Sequence, residues 1–208
     1  MSGVRIVTDA VLKTRRLRKL TRGFYNRPTL EVARELLGKR IVYRAKEGTL
    51  SARIVEVEAY IGEDDPACHA APGPTKRNQV MYGKAGFSYI YFIYGMYNCF
   101  NIVTERTGFP AAVLLRAAEP CDGLDIMRAH SPKSRPGHIL SGPGKFCRAF
   151  GLTTTHTGID LTGSTLYLTD SPEPVGETVV TERIGINKGT EFPYRFYLAD
   201  SSAVSRRS

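Results

Sequence analysis

Residues 53–60 have the sequence Arg-Ile-Val-Glu-Val-Glu-Ala-Tyr, the most informative strand pattern in the chain. Its apolar and polar side chains alternate, and successive side chains of a β-strand point to opposite faces, so the pattern predicts a strand. The polar face would carry two carboxylates and a phenol, from Glu56, Glu58 and Tyr60. Taken alone, such a face is as typical of a solvated sheet surface as of a functional site.

The loop after this strand favours a functional site. Residues 62–66 are polar, Cys68-His69 follows, and a Pro-Gly-Pro turn at 72–74 leads to Lys76-Arg77-Asn78. Ionisable groups on a loop that a rigid strand positions are a common setting for binding and catalysis.

Tyrosines are concentrated in residues 87–103, which are predicted to form two strands joined near Tyr94-Gly95. Each buried tyrosine hydroxyl needs a hydrogen-bond partner, so this number of tyrosines is high for a core. Packing within the sheet is our interpretation for Tyr89 and Tyr97. Tyrosines at a turn beside a basic loop, such as Tyr94, are typical of surfaces that stack on nucleobases or wedge between them.

The rest of the chain predicts one mixed α+β domain. Helices are predicted over 29–38, 122–130 and 141–150, and strands over 41–43, 111–116, 164–168, 178–184 and 194–198. Arg116 ends a buried strand and is either the partner of a carboxylate or a phosphate ligand.

We divide the chain into a basic N-terminal arm, residues 1–23, and a single compact domain, residues 24–208. The arm carries a run of basic side chains: Lys13, Arg15, Arg16, Arg18, Lys19 and Arg22. It is either a solvated extension or a contact for nucleic-acid phosphates.

The charge balance narrows the range of partners. The 208-residue chain has 29 Lys and Arg against 20 Asp and Glu, a formal net charge of +9. Such a charge favours polyanions, with nucleic acid first and an anionic membrane surface second. The most apolar run, residues 89–103, is shorter than a bilayer span. Residues 1–10 lack a secretory signal and the four cysteines form no C-x-x-C pair, so we expect a soluble, non-secreted protein with reduced thiols.

Residues 53–101 admit several chemistries. Cys68-His69 suggests a thiol nucleophile, although adjacent residues seldom form the working pair and a buried thiol is the simpler interpretation. A metal site from Glu56, Glu58 and His69 matches no common ligand spacing. A glycosidase-like carboxylate pair has no other feature of a sugar-polymer enzyme to support it. One carboxylate that activates water beside stacking aromatics, in a basic protein, fits hydrolysis of an N-glycosidic bond in DNA.

In combination, five stretches of the chain resemble the alkyladenine (3-methyladenine) DNA glycosylase family, the type without a helix-hairpin-helix motif. The resemblance extends from about residue 24 to residue 205, with further motifs at 141–145 and 194–197. The five stretches are Arg-Ile-Val-Glu-Val-Glu-Ala-Tyr at 53–60, Ala-Cys-His at 67–69, Thr-Lys-Arg-Asn-Gln-Val-Met at 75–81, Tyr-Ile-Tyr-Phe-Ile-Tyr-Gly-Met-Tyr-Asn-Cys-Phe-Asn-Ile at 89–102 and Val-Leu-Leu-Arg-Ala-Ala-Glu-Pro at 113–120.

The resemblance implies roles in the reaction for three residues. Glu58 is expected to be the general base that deprotonates the attacking water. Arg116 is expected to help hold the flipped nucleotide's phosphate and the water. Tyr94 is expected to intercalate through the minor groove, in the place that the flipped nucleotide leaves.

The resemblance also implies a pocket for the flipped base. Tyr60 and His69 are expected to stack on one face of the base and Tyr91 on the other, with the His69 main-chain amide at the purine edge. Asn101 is expected to line the pocket floor and to disfavour guanine by a clash with its 2-amino group. Two further residues are expected to flank the wedge, Met81 and Leu114.

The activity implied by the resemblance is that of a monofunctional enzyme of base excision repair. It would remove 3-methyladenine, 7-methylguanine, hypoxanthine or etheno-adenine from double-stranded DNA and leave an abasic site. The implied fold is a curved antiparallel β-sheet with short surrounding helices, and no metal or organic cofactor is implied.

We expect a monomer that does not bind membranes and lies with the DNA, in the cytoplasm or nucleoid of a bacterium or the nucleus of a eukaryote. The alternative is a non-catalytic module that binds damaged nucleic acid. Such a module would need the same charge and tyrosines but would have no use for Glu58.

Overall fold

The structure is a computed structural model that describes residues 17–135 and 137–207. Its α-helices are α1 (Arg22–Tyr25), α2 (Thr29–Leu36), α3 (Leu124–His130) and α4 (Pro143–Phe150). Two 3₁₀ turns lie at Gln79–Tyr82 and Thr154–His156. The strands are β1 (Arg40–Ala45), β2 (Gly48–Ile61), β3 (Ser88–Ile93), β4 (Tyr97–Val103), β5 (Ala111–Asp122), β6 (Leu166–Thr169), β7 (Thr178–Thr181) and β8 (Arg195–Leu198).

The strands form one antiparallel sheet in the order β3-β4-β5-β2-β1-β6, and β8 pairs with both β2 and β7. Strand β2 is central to it. One edge pairs with β5 along nearly its full length, while the other edge pairs with β1 over residues 48–53 and with β8 over residues 56–58. The sheet curls into a half-barrel, and the predicted single α+β domain with a curved antiparallel sheet and short helices is confirmed.

The pairing of β2 with β5 is irregular beside the two carboxylates. The register shifts on both sides of Glu56, so that Val55 on β2 and Arg116 on β5 have no residue opposite them. Bulges of this kind bend a strand and change the direction in which a side chain points. Strand β5 also continues to Asp122, beyond the predicted end at residue 116, because β2 supplies a partner for the added residues.

The core lies between the sheet and the helices. Helix α2 buries Val32, Ala33 and Leu36 with no solvent exposure, as its periodicity predicts. Helix α4 places Phe146 against Phe100 of β4, with the ring centroids 6.0 Å apart.

Helix α4 also lies directly on the β3–β4 hairpin. A Cβ atom at Gly144 would come within 2.5 Å of Cδ1 of Tyr97, so only a glycine permits this approach without displacing the ring. The first turn of α4 therefore packs against the hairpin at Tyr97. No helix in the described part of the chain is long and apolar enough to cross a membrane.

Residues 1–16 of the predicted arm lie outside the described residues. From residue 17 onward the chain contacts the domain. Leu20 is buried, and its N–H donates to the carbonyl of Leu168 at 2.9 Å. Arg18 pairs with Asp170 at 3.1 Å. This part of the arm thus packs beside β6.

The burial of α2 yields a stability prediction. Leu36→Ala should lower the free energy of unfolding by about 2–5 kcal/mol, because the surrounding core cannot fully close the cavity. Leu30→Ala, on the same helix but only half-buried, is the matched control and should lose less. Urea unfolding measures both, and equal losses would contradict the packing described for this helix.

Candidate active site

Strand β2 carries two carboxylates, Glu56 and Glu58, that have no solvent exposure. The Tyr60 hydroxyl donates to Oε2 of Glu58 at 2.8 Å, and the Ile184 N–H donates to Oε1 at 2.7 Å. Nη1 of Arg116 lies 3.1 Å from the same Oε1. These contacts exclude a solvated polar face. A carboxylate accepts about four hydrogen bonds, so Glu58 keeps acceptor capacity for one more donor such as water.

Arg116 is the partner of both carboxylates. Its Nε donates to Oε1 of Glu56 at 2.9 Å, its Nη1 faces Glu58, and its Nη2 donates to Oγ of Ser205 at 3.2 Å. The side chain is 7% exposed and reaches the wall of a cavity. Of the five guanidinium N–H groups, two remain for a further acceptor. The sequence suggested either a carboxylate partner or a phosphate ligand, and in this geometry Arg116 can be both.

Tyr60 is fixed in its protonated form as a hydrogen-bond donor. Burial, and next the neighbouring Glu58 carboxylate, raise the pKa of its phenol well above the usual value of 10.0. The guanidinium of Arg183 lies 4.7 Å from the ring centroid on the other side. The ring is thus held between a carboxylate at its hydroxyl and a cation at its face.

A cavity of about 420 Å³ opens beside Glu58. Eight of the nine residues singled out from the sequence line it: Tyr60, His69, Met81, Tyr91, Tyr94, Asn101, Leu114 and Arg116. Glu58 itself is set back from the wall, behind its contacts with Tyr60 and Arg116. A volume of this size is in the range of small-ligand pockets.

His69 and Tyr91 form an aromatic corner of the cavity. Their ring centroids are 4.4 Å apart at an interplanar angle of 74°, an edge-to-face contact. Nδ1 of His69 lies 2.9 Å from the hydroxyl of Tyr89. A base stacked between two rings separates them by about 7 Å, two contact distances, so the pair must part to admit one.

The loop that carries His69 is fixed by Asn78. The Asn78 side-chain amide donates to the carbonyl of His69 at 2.8 Å and to that of Gly73 at 3.0 Å. Within residues 17–135 and 137–207, the main-chain N–H of His69 has no acceptor in hydrogen-bond range. This donor is therefore free for a ligand.

Asn101 is rigid in the cavity wall. Its amide nitrogen donates to the carbonyls of Tyr89 and Cys99, both at 3.1 Å. The side chain is 3% exposed. Met81, in the first 3₁₀ turn, and Leu114, on β5 opposite Glu58, are also buried in this wall.

Tyr94 stands at the tip of the β3–β4 hairpin and is 71% exposed. It has a φ of 53° and Gly95 a φ of 67°, and the Met96 N–H donates to the carbonyl of Ile93 at 3.2 Å, a type I′ turn. A left-handed conformation costs a tyrosine about 1–2 kcal/mol. Phe92 and Met96 are also exposed, at 51% and 60%, so the tip presents an apolar surface.

A loop that the sequence analysis did not select completes the cavity. Residues 178–184 were predicted as a strand, but β7 ends at Thr181. The prediction was wrong at this end because Arg183 leaves the sheet and forms a bidentate, fully buried ion pair with Asp65, at 2.6 and 2.8 Å. The residues that follow, 184–188, line the cavity. In the sequence, the only sign that the strand ends here is a charged residue, Arg183, followed closely by Gly185.

Cys68 is poorly suited to act as a nucleophile. Burial raises the pKa of its thiol to about 11, so little thiolate exists at neutral pH. The His69 ring forms its hydrogen bond with the Tyr89 hydroxyl and not with the Cys68 thiol. In the described ranges, no three His, Cys, Asp or Glu side chains are grouped so as to hold a metal ion. The two carboxylates of β2 face arginines instead.

A buried carboxylate, an aromatic cavity and an exposed tyrosine at a hairpin tip, in a basic protein, are the combination expected of a DNA glycosylase. The comparison with family models agrees. Residues 23–202 match the model described as "Methylpurine-DNA glycosylase (MPG)". The chain therefore belongs to the methylpurine-DNA glycosylase family, and the resemblance drawn from its motifs is confirmed.

Curated relatives extend this match over nearly the whole chain. A protein of Methanocella arvoryzae is 52% identical over 194 residues, which cover 91% of this chain and 96% of the relative. A protein of Alkaliphilus oremlandii is 45% identical over 201 residues, covering 91% of this chain and 100% of the relative. Both are named "Putative 3-methyladenine DNA glycosylase".

The environment of His69 predicts its titration. Burial, and next the positive charge of Arg77, lower the pKa of the imidazole from 6.5 to about 4. Because protonation is disfavoured only in the folded chain, the free energy of unfolding should fall as the pH drops from 6.5 towards 4. Urea unfolding across this range should show a smaller loss for His69→Gln than for the wild type.

NMR titration gives the direct control. In Arg77→Gln the His69 pKa should rise, because one of its two causes is removed. A His69 imidazole that titrates near 6.5 in the folded wild type would contradict its burial in the aromatic corner.

Proposed function

We propose that the protein is a monofunctional, monomeric DNA glycosylase of base excision repair. It flips alkylated or deaminated purines out of double-stranded DNA and hydrolyses their N-glycosidic bond with a water activated by Glu58. The observation that carries the proposal is the position of Glu58, a buried carboxylate held by Tyr60, Ile184 and Arg116 directly beside an aromatic cavity. The family membership and the net charge of +9 support DNA as the substrate.

The hairpin tip supplies the wedge. Tyr94 enters the minor groove and fills the space that the extruded nucleotide leaves, with Phe92 and Met96 as apolar neighbours. Its turn is already formed without DNA, and α4 supports the hairpin through Gly144 and Tyr97. Binding therefore requires little loss of conformational entropy at the tip.

The cavity receives the base. Tyr91 and His69 separate to admit it, so that Tyr91 stacks on one face of the base and Tyr60 and His69 stack on the other. A purine that alkylation has made cationic is attracted to these ring faces, as cations are to aromatic π systems. The free N–H of His69 donates to the purine edge. Asn101, held through its amide nitrogen, rejects a guanine 2-amino group sterically.

Glu58 acts on water at the sugar. The one acceptor position that Tyr60, Ile184 and Arg116 leave open on the carboxylate takes the hydrogen bond of the water. Glu58 takes one proton, the water oxygen forms the bond to C1′, and the C1′–N bond breaks with its electron pair leaving on the purine. Arg116 directs its two remaining N–H groups at the water and the flipped nucleotide's phosphate.

The substrates proposed are 3-methyladenine, 7-methylguanine, hypoxanthine and etheno-adenine. A cationic methylated purine leaves as a neutral base and needs no further help. A neutral base such as hypoxanthine is a poorer leaving group, so its excision depends more strongly on Glu58 and on protonation of the purine.

Monofunctionality follows if no amine attacks C1′. Lys188 lies on the cavity wall and is exposed, so it is the amine to test. Strand breaks that appear without alkali, or a borohydride-trapped adduct that is absent in Lys188→Gln, would show a lyase step. We expect abasic sites that break only on alkali treatment.

The first test is single-turnover excision from a duplex oligonucleotide that carries one hypoxanthine. Glu58→Gln should slow excision by a factor of about 100 to 10,000, the usual contribution of general base catalysis. Its affinity for the same duplex should change little, because the neutral amide has nearly the same shape. Glu47→Gln, in the exposed β1–β2 turn, is the matched control and should react at the wild-type rate.

The same assay separates the alternatives. Tight lesion binding by the wild type without excision, here and on methylated DNA, would establish the non-catalytic binding module. Equal excision by Glu58→Gln and wild type would place the general base elsewhere.

The basic arm yields a prediction about salt. Deletion of residues 1–16 removes four basic side chains, Arg5, Lys13, Arg15 and Arg16. If they bind DNA, log K should fall less steeply with log salt, by about 0.9 for each phosphate that the shortened arm no longer neutralises. A full-length variant with glutamine at these four positions separates charge from length. Unchanged salt dependence in both variants would show that the arm does not bind DNA.

A further inference from the structure

Glu56 is a buried carboxylate that the proposed reaction does not use. Its Oε1 accepts hydrogen bonds from Nε of Arg116 at 2.9 Å, from Nε of Arg195 at 2.8 Å and from Oγ of Ser205 at 2.8 Å. Its Oε2 accepts from the Ser205 N–H at 2.6 Å. Four donors saturate the acceptor capacity of this carboxylate.

Two of these four donors come from Ser205, near the C-terminal end of the chain. The neighbouring Arg206 is held as well, because its carbonyl accepts from Nη2 of Arg195. Arg195 lies on β8, which pairs with β2 at Glu56 and Glu58, and it is 2% exposed. The C-terminal segment is thus bound into the sheet at the carboxylates. The family match ends at residue 202, so it includes Glu56 and Arg195 but not Ser205.

The hydrogen bonds of Glu56 and Ser205 fix the orientation of Arg116. Glu56 holds its Nε, and the Ser205 hydroxyl accepts from its Nη2. A guanidinium is planar, so two fixed nitrogens determine the direction of the third. That third nitrogen, Nη1, is the one that faces Glu58 at 3.1 Å.

We propose that Glu56 and Ser205 are positioning residues of the glycosylase reaction, through which the C-terminal segment locks Arg116 in the orientation that serves Glu58. This inference rests on the proposed function. The Ser205 hydroxyl donates to Glu56 and accepts from Arg116, so it joins the two side chains in one hydrogen-bonded ring.

The charges of the buried cluster around Arg116 concern the reaction as well as folding. Two carboxylates and two arginines, Glu56, Glu58, Arg116 and Arg195, make the cluster neutral. Apolar side chains of similar volume commonly stabilise a core as well as a buried ion cluster does, so stability alone does not call for these charges. Without the hold of Glu56 and Ser205, Arg116 would turn further onto Glu58 and occupy the acceptor that the water needs.

The experiment compares Ser205→Ala with the wild type in single-turnover excision of hypoxanthine and of a methylated purine. Loss of the hydroxyl should slow excision roughly tenfold, the effect of one hydrogen bond to a charged group when it acts on the transition state. Ser205→Thr keeps a hydroxyl and should recover the rate. Ser202→Ala, at an exposed position three residues earlier, is the control and should react as the wild type does.

Binding measurements distinguish positioning from folding. The titration uses a duplex with one abasic analogue, which has no glycosidic bond to break. Ser205→Ala should keep the wild-type affinity and the wild-type fraction of binding-competent molecules. A fall in that fraction with an unchanged rate per competent molecule would overturn the proposal, since it would show a purely structural role.

Two further outcomes are decisive. Wild-type rates in Ser205→Ala, or equally slow rates in Ser205→Thr, would overturn the positioning role while leaving the proposed function intact. A wild type that excises neither base would overturn the proposed function and this inference with it. Glu56→Gln is the harsher test because it leaves two buried arginines short of an anion and can fail to fold. Ser205→Ala avoids that difficulty.

Discussion

The contact of Arg116 with two carboxylates is the interaction on which the rest of the structure depends. Glu56 and Glu58 have no solvent exposure, and a buried carboxylate without a partner would cost several kcal/mol. The bulges at Val55 and Arg116 bring the guanidinium between the two. Strand β8 and the C-terminal segment then close the cluster from the other edge of β2. One buried ion cluster thus joins β2, β5, β8 and residues 205–206.

The walls of the cavity combine a second buried ion pair with aromatic side chains. Asp65 and Arg183 form a buried ion pair that connects the loop before His69 to the loop after β7. The edge-to-face pair of His69 and Tyr91 lines the same cavity. Burial and the charge of Arg77 lower the pKa of His69 to about 4, so the imidazole adds no positive charge to the corner at neutral pH. The proposed extrusion and hydrolysis use both features, a rigid ion cluster at Glu58 and an aromatic pair that can part.

Local patterns predicted much of this molecule. The alternation in residues 53–60 predicted β2, and the tyrosines and Tyr94-Gly95 predicted the hairpin. The burial of both carboxylates was not predictable, because it depends on Arg116 and on two bulges that no short pattern specifies. Likewise, Val179 and Val180 favour a strand that Arg183 then ends through a partner 118 positions away. Motif resemblance selected eight cavity residues, yet the direct contact of His69 with Tyr91 needed coordinates.

Strand β2 is both the centre of the sheet and the support of the buried Glu58 carboxylate. Its hydrogen bonds to β1, β5 and β8 can break only when the whole domain opens, so Glu58 belongs to the most cooperative part of the molecule. Local opening is left to the loops and the hairpin around the cavity. The loops around the cavity can therefore open while Glu58 stays fixed in the sheet. On the proposed function, changes in substrate range arise at the entrance without weakening the fold.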